Sequence, residues 1–314
     1  MQIPDGLGLY WRDSDCVQIG LHPDRRAIID GLYPREVPLL NLLRNPCTAA
    51  DVDVWAKSHQ VDRDRARKIW ETVSATGLAR EATMPGRMAR DEYAAAARAG
   101  AVDPEAARST AVTIEGAGLI GSLLAIVLDL YGFGAVAVND PHPVSESGAR
   151  WLGLASFGQP VEAAVRPRLR PGDPINRRIV VSVSSRVYPL HIARVCLADD
   201  IPYLPIVVAE SDIQIGPFVT GSPCLECVES ERTRQDSAWP LLSAQAGRLP
   251  MLEPDTASAF LACGFAAAEL LQFVTDEGYE PRLSSAIMHI PPPPSWPTLE
   301  TVERAADCGC VFGS

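Results

Sequence analysis

Ala111-Val112-Thr113-Ile114-Glu115-Gly116-Ala117-Gly118-Leu119-Ile120-Gly121 sets a β-branched run directly before three glycines spaced G-x-G-x-x-G. Residues 119–130 continue as an apolar helix, and Ala135-Val136-Ala137-Val138 follows as a second strand, ending near Asp140. Strand, glycine turn, helix and strand make a βαβ unit. Its first turn brings a phosphate close to a helix N-terminus, and an acid after the second strand can hold ribose hydroxyls. Gly116, Gly118, Gly121 and Asp140 are therefore candidate nucleotide-binding residues. The competing reading is that the glycines only let helix and strand pack closely, and the motif does not choose between NAD and ATP.

Outward from this unit, 179–183 and 206–209 read as further strands with a helix at 190–198 between them. That order predicts an α/β fold with a Rossmann-like, mostly parallel, doubly wound sheet. The Ala-rich stretch 256–274 reads as a helix apolar around much of its circumference, suited to the core or to a homodimer, as are Trp239 and Trp296. On the N-terminal side the pattern changes. Tyr10-Trp11-Arg12, 16–20 and 26–31 read as small strands, and helices follow at 36–43, at 49–59 behind a Thr48 N-cap, and at 61–76. The chain divides accordingly into a small α+β domain at 1–80, a connector at 81–110 rich in Ala, Arg, Glu and Asp, and a larger domain at 111–314.

A formal charge of -11 over 314 residues excludes a nucleic-acid backbone as the main partner, because phosphate binding relies on clustered Lys and Arg. The N-terminal residues lack a basic segment followed by an apolar core, and the apolar stretch 117–138 is interrupted by Asp129 and glycines, so neither a signal peptide nor a membrane span is expected. The expectation is a cytoplasmic protein. In that setting eight cysteines point to metal or buried thiols before disulfides. Cys224-Leu225-Glu226-Cys227 and Cys308-Gly309-Cys310 supply two close pairs, which suit a tetrahedral zinc. Four thiolate ligands leave no open position, so the metal is expected to be structural. His142, His191 and His289 are isolated, and Ser184-Ser185 with His191 lacks a nucleophile elbow.

The glycine loop, the Asp after the second strand and a Pro-Cys-x-x-Cys closed by a second cysteine pair together resemble the ThiF-like (ubiquitin-activating-enzyme-like) family. The tract from Ser222 to Pro240 and the terminal Asp307-Cys308-Gly309-Cys310 look like the actinobacterial members associated with thiazole/oxazole-modified or thiopeptide-type peptide biosynthesis. Residues 1–80 are similar in pattern to the winged-helix peptide-recognition element that precedes the ThiF-like domain in such proteins. This resemblance implies capture of a precursor leader peptide as an added strand beside 16–20 or 28–31, with Val17, Ile19, Ile28, Leu39, Leu43 and Trp70 at the groove. It also implies a partner modifying enzyme, such as a cyclodehydratase or dehydratase.

Active members of the family carry cations for the triphosphate and an Asp for magnesium. Here Asp140 is followed by Pro141-His142-Pro143-Val144, the Lys-bearing segment reads Gly158-Gln159-Pro160-Val161-Glu162, and where an Asp would follow the strand at 179–183 the chain reads Ser182-Val183-Ser184-Ser185-Arg186. Arg150 and Arg186 are the cations left to stand in. The expectation is thus a catalytically degenerate, leader-binding protein; the alternative is an ATP- and magnesium-dependent adenylyltransferase activating a peptide or carrier-protein carboxylate.

Overall fold

A computed structural model describes residues 1–79, 86–99, 104–173, 175, 177–276 and 278–310. The described residues of 1–85 and 89–102 form one unit, and 86–88 with those from 103 onward form the second.

In the first unit β1 (Leu9–Trp11), β2 (Val17–His22) and β3 (Arg25–Ile29) make an antiparallel sheet in that order. Helices α1 (Val37–Leu42), α2 (Ala49–Ser58) and α3 (Arg63–Ala75) follow. Thr48 caps α2 as expected. Its hydroxyl accepts the Asp51 amide at 3.3 Å, and the Asp51 carboxylate accepts the Thr48 amide at 2.8 Å, so each satisfies a donor the helix leaves free. Asp62 caps α3 one way only, its carboxylate accepting the Arg65 amide at 2.9 Å. Ile3, Ile19, Leu32, Leu39, Leu40 and Leu43 are fully buried and join strands to helices in one core. Glu36, 1% exposed, accepts from Arg65 at 3.0 Å and from the Tyr33 amide at 3.0 Å, which ties α3 to the turn after β3.

The span expected as a connector is partly outside the described residues. Its described parts are α4 (Arg90–Ala99), in the first unit, and α5 (Pro104–Arg108), in the second.

The second unit is built on a seven-stranded sheet. Strands β4 (Thr110–Glu115), β5 (Ala135–Asn139), β6 (Arg177–Ser185) and β7 (Tyr203–Val208) are parallel, and β8 (Ile213–Ile215), β9 (Ala286–Ile290) and β10 (Thr298–Thr301) continue antiparallel. The spatial order is β10-β9-β8-β7-β6-β4-β5. From β4 the chain steps to β5 on one side and later returns to β6 on the other, which opens a crevice at the C-terminal ends of β4 and β6. Helix α6 (Gly118–Leu130) lies on the sheet at close range: a Cβ on Gly121 would sit 2.9 Å from Ala117 Cβ and 3.0 Å from Ile114 Cγ2. Helices α7 (Glu146–Leu152) and α8 (Val161–Val165) follow β5, and α9 (Leu190–Ala198) joins β6 to β7. After β8 come α10 (Leu225–Gln235), α11 (Trp239–Ala246) and α12 (Thr256–Thr275). Helix α12 is long and apolar enough to cross a membrane, yet Ala259, Ala262, Ala266 and Leu270 put one face in the core. Its other face exposes Phe260, Leu261 and Phe265, and Trp151 of α7 meets Phe260 edge-on at 4.7 Å. Trp296, expected in a core or interface, is 85% exposed beside the proline run.

Candidate functional site

A cleft of about 660 Å³ opens at the ends of β4 and β6, lined among others by Gly116, Asp140, His142, Tyr188, His191 and Met251. Of the glycine loop, Gly116 lines it. Gly116 has φ +67°, and a Cβ there would meet the Val183 carbonyl at 2.6 Å; Gly118 has φ +49°. Two of the three glycines are thus required by backbone conformation and the third by helix–sheet contact.

Asp140 is 1% exposed, and its Oδ2 accepts the Ala117 amide at 2.8 Å and the Gly118 amide at 2.9 Å. Its Oδ1 accepts the His142 amide at 3.0 Å and lies 2.8 Å from His142 Nδ1. Burial alone raises this carboxyl, but the donors from Gly118, His142 and Ala117 together outweigh it and hold it below its usual range. The amides at the start of α6 that would receive a phosphate are therefore occupied by the protein's own carboxylate.

The surroundings are acidic. Glu115 and Glu229 also line the cleft, and among its described lining residues there is no Lys or Arg. The chain's two lysines, Lys57 and Lys68, both belong to the first unit. Glu253, near Asp140, is raised by burial and by that neighbour's charge, against a hydrogen bond from Ser145. Arg150 does not line the cleft; it is exposed on α7 and pairs with Glu146 at 3.2 Å. Arg186, at φ 65°, donates to the Pro250 carbonyl at 2.7 Å and pairs with Glu210 at 3.3 Å. With the Leu252 amide on Ser185 Oγ at 3.0 Å, it holds the segment that places Leu249 and Met251 along the cleft. Sequence reasoning missed this strap, since nothing in 247–255 is periodic.

The four cysteines come together. Cys224 is the N-cap of α10, Cys227 lies in its first turn, and Cys308 and Cys310 follow β10. Their Sγ atoms all lie within 4.8 Å of one another, with Cys224 to Cys308 at 3.5 Å and Cys227 to Cys310 at 3.7 Å. These distances are too long for a disulfide, near 2.0 Å. They match the edge of about 3.8 Å of a tetrahedron with metal–sulfur bonds of about 2.3 Å. The set can hold a metal ion. Burial raises Cys224 and Cys308, while Cys310, against its own burial, is brought to about 7 by Ser222 and the neighbouring thiols.

The residues expected at a peptide groove divide. Val17, Ile19, Leu39 and Leu43 are at most 2% exposed and belong to the first unit's core, so they cannot present side chains to a ligand in this conformation. Ile28 is 45% exposed on β3, and Trp70 is half-buried on α3. Strand β2 is paired on both edges, which closes 16–20 to an added strand; β3 is an edge.

No protein-family model and no curated protein matches the sequence. The backbone is similar to solved structures at low identity. The microcin C7 biosynthetic enzyme MccB in complex with N-formylated MccA aligns over 98% of this chain and 98% of its own, with TM-score 0.63 and 13% identity. E. coli MccB with ATP aligns over the same shares, with TM-score 0.61 and 14% identity. PaaA aligns over 94% of this chain and 98% of its own, with TM-score 0.64 and 13% identity. The chain thus shares the fold of MccB and PaaA through both of its units.

Proposed function

We propose that this is a ThiF-like protein of peptide natural-product biosynthesis that binds the leader of a ribosomally made precursor peptide and presents it to a modifying enzyme, such as a cyclodehydratase or dehydratase, without adenylating it. The observation that carries the reading is Asp140. A buried carboxylate on the Ala117 and Gly118 amides, in a cleft whose described lining has no Lys or Arg, repels the triphosphate that an adenylating site must hold. Peptide binding is drawn from the likeness to MccB in complex with MccA, and from the open edge of β3 with Ile28 exposed on it. The leader adds as a strand beside 28–31, its backbone supplying affinity and Ile28 and Trp70 contacting side chains. Zinc on Cys224, Cys227, Cys308 and Cys310 acts structurally, and the exposed stripe of α12 serves a homodimer in the cytoplasm.

Fluorescence anisotropy with a labelled leader from a precursor of the same organism tests this. Saturable binding by the full chain, weakened at least tenfold by Ile28→Asp, is expected; no binding by the full chain contradicts it. A second reading, an ATP-dependent adenylyltransferase using Gly116, Gly118, Gly121 and magnesium, is favoured by the MccB structure that contains ATP. It requires Asp140 to leave the loop amides.

A further inference from the structure

The sheet of the second unit ends at β5, and that edge is open over a defined length. Gly116 N donates to Asn139 O at 2.9 Å across the β4–β5 pair, with Glu115 opposite Asn139. Residues of a parallel strand alternate in bonding direction, so Ala135, Ala137 and Asn139 face β4 while Val136 and Val138 turn their N–H and C=O outward. Beyond these two the outer side is already paired: the Asp173 amide donates to Gly134 O at 2.8 Å, and the Glu162 amide to Asp140 O at 3.1 Å. Between those two bonds, no hydrogen bond among the described residues reaches Val136 or Val138 from outside. Four backbone groups are left, two donors and two acceptors.

A groove of about 660 Å³ runs along this stretch, with Glu162, Arg166, Leu169 and Arg170 on its far wall. In the common doubly wound order a third strand lies outside the second. Here the chain at that place reads Arg166-Pro167-Arg168-Leu169-Arg170-Pro171, whose prolines lack the N–H a ladder needs. Arg166 identifies the occupant. It is exposed with no ion pair among the described residues, whereas Arg170 is already engaged, its Nε on Asp129 at 2.9 Å and its Nη1 on the Arg87 carbonyl. A second copy would set Arg166 against its equivalent. A carboxylate-bearing strand would meet both the backbone groups and the charge.

We propose that the β5 edge receives an extended, Asp- or Glu-bearing segment of a protein partner, a donated strand whose backbone pairs with Val136 and Val138 and whose carboxylate meets Arg166. This site is separate from the leader site proposed above and does not depend on it.

The test is amide hydrogen exchange of the full-length protein with millimolar acetyl-Asp-Val-Thr-Val-Asp-amide, or the same peptide with Arg in place of Asp. The acidic peptide should slow exchange at 134–140 and the basic one should not. Arg166→Glu should weaken the acidic peptide at least tenfold and gain binding of the basic one, which also shows that the variant is folded. The proposal is overturned if neither peptide protects 134–140, if both protect equally, or if Val136 and Val138 are already protected without peptide as strongly as Ile114.

Discussion

Asp140→Ala removes the carboxylate that closes the start of α6. In the native protein that group accepts three backbone amides, at 2.8, 2.9 and 3.0 Å, and approaches His142 Nδ1 at 2.8 Å. Alanine leaves the amides of Ala117 and Gly118 without an acceptor, and Ala117 is fully buried. An unsatisfied buried donor costs about 1–3 kcal/mol, so the variant should lose about 3–5 kcal/mol, a large share of a typical stability of about 5–15 kcal/mol. At about 2–4 °C per kcal/mol for a unit of this size, the melting temperature should fall by about 10 °C. Asp140→Asn, which keeps one acceptor oxygen, should lose less. The vacated amides should then take an anion, so that sulfate at tenfold its dissociation constant restores about 1.4 kcal/mol to the alanine variant and nothing specific to the wild type. The sign with pH follows from the depressed carboxyl. Its contribution is full above the unfolded value near 3.9 and is lost as pH falls through the lower folded value, so the gap between wild type and Asp140→Ala should narrow below about pH 4. Urea titrations of the three proteins between pH 3 and 7, with and without sulfate, read all of this. A loss under about 1 kcal/mol at pH 7 would refute the assignment of Asp140 as the ligand of its own loop.

Cys224→Ser and Cys310→Ser should each abolish the one zinc per chain expected by elemental mass spectrometry and lower the melting temperature, because metal binding at a four-thiolate site adds directly to folding. Arg65→Ala leaves Glu36 buried without its cation and should cost about 3 kcal/mol in the first unit, read by denaturant unfolding. Leu39→Ala should cost about 2–5 kcal/mol because it hollows the core. Ile28→Asp, on an exposed edge, should leave stability nearly unchanged while weakening the leader, so circular dichroism and anisotropy on the two variants separate packing from recognition.

Much of the fold is legible where local chemistry repeats a strong pattern. The run Ala111 to Gly121 combines β-branched residues with glycines at fixed offsets, and Thr48 with Asp51 marks a helix start by satisfying its first amides. The antiparallel end of the sheet is not legible: β8 alternates buried Ile213 and Ile215 about Gln214 but is only three residues long, too short to register as a period, and Thr298–Thr301 is exposed throughout and has no buried face. Apolar spacing also does not separate a core face from a groove, which is why Leu39 and Leu43 read as ligand contacts and lie inside. The position of Asp140 is readable as an acid after the second strand. Its turn back onto the Ala117 and Gly118 amides depends on the backbone of Pro141 and His142, which no spacing rule specifies. The cysteines were the opposite case, since two short spacers leave few ways for the pairs to meet.

Pyrophosphate release by the full-length protein, with magnesium ATP and its precursor peptide present together, bears most directly on the central claim. The account predicts release no faster than in the absence of protein, under conditions where the same sample binds the leader. Peptide-dependent release above that background would contradict it, and would mean that Asp140 leaves the amides of Ala117 and Gly118 to let the triphosphate in.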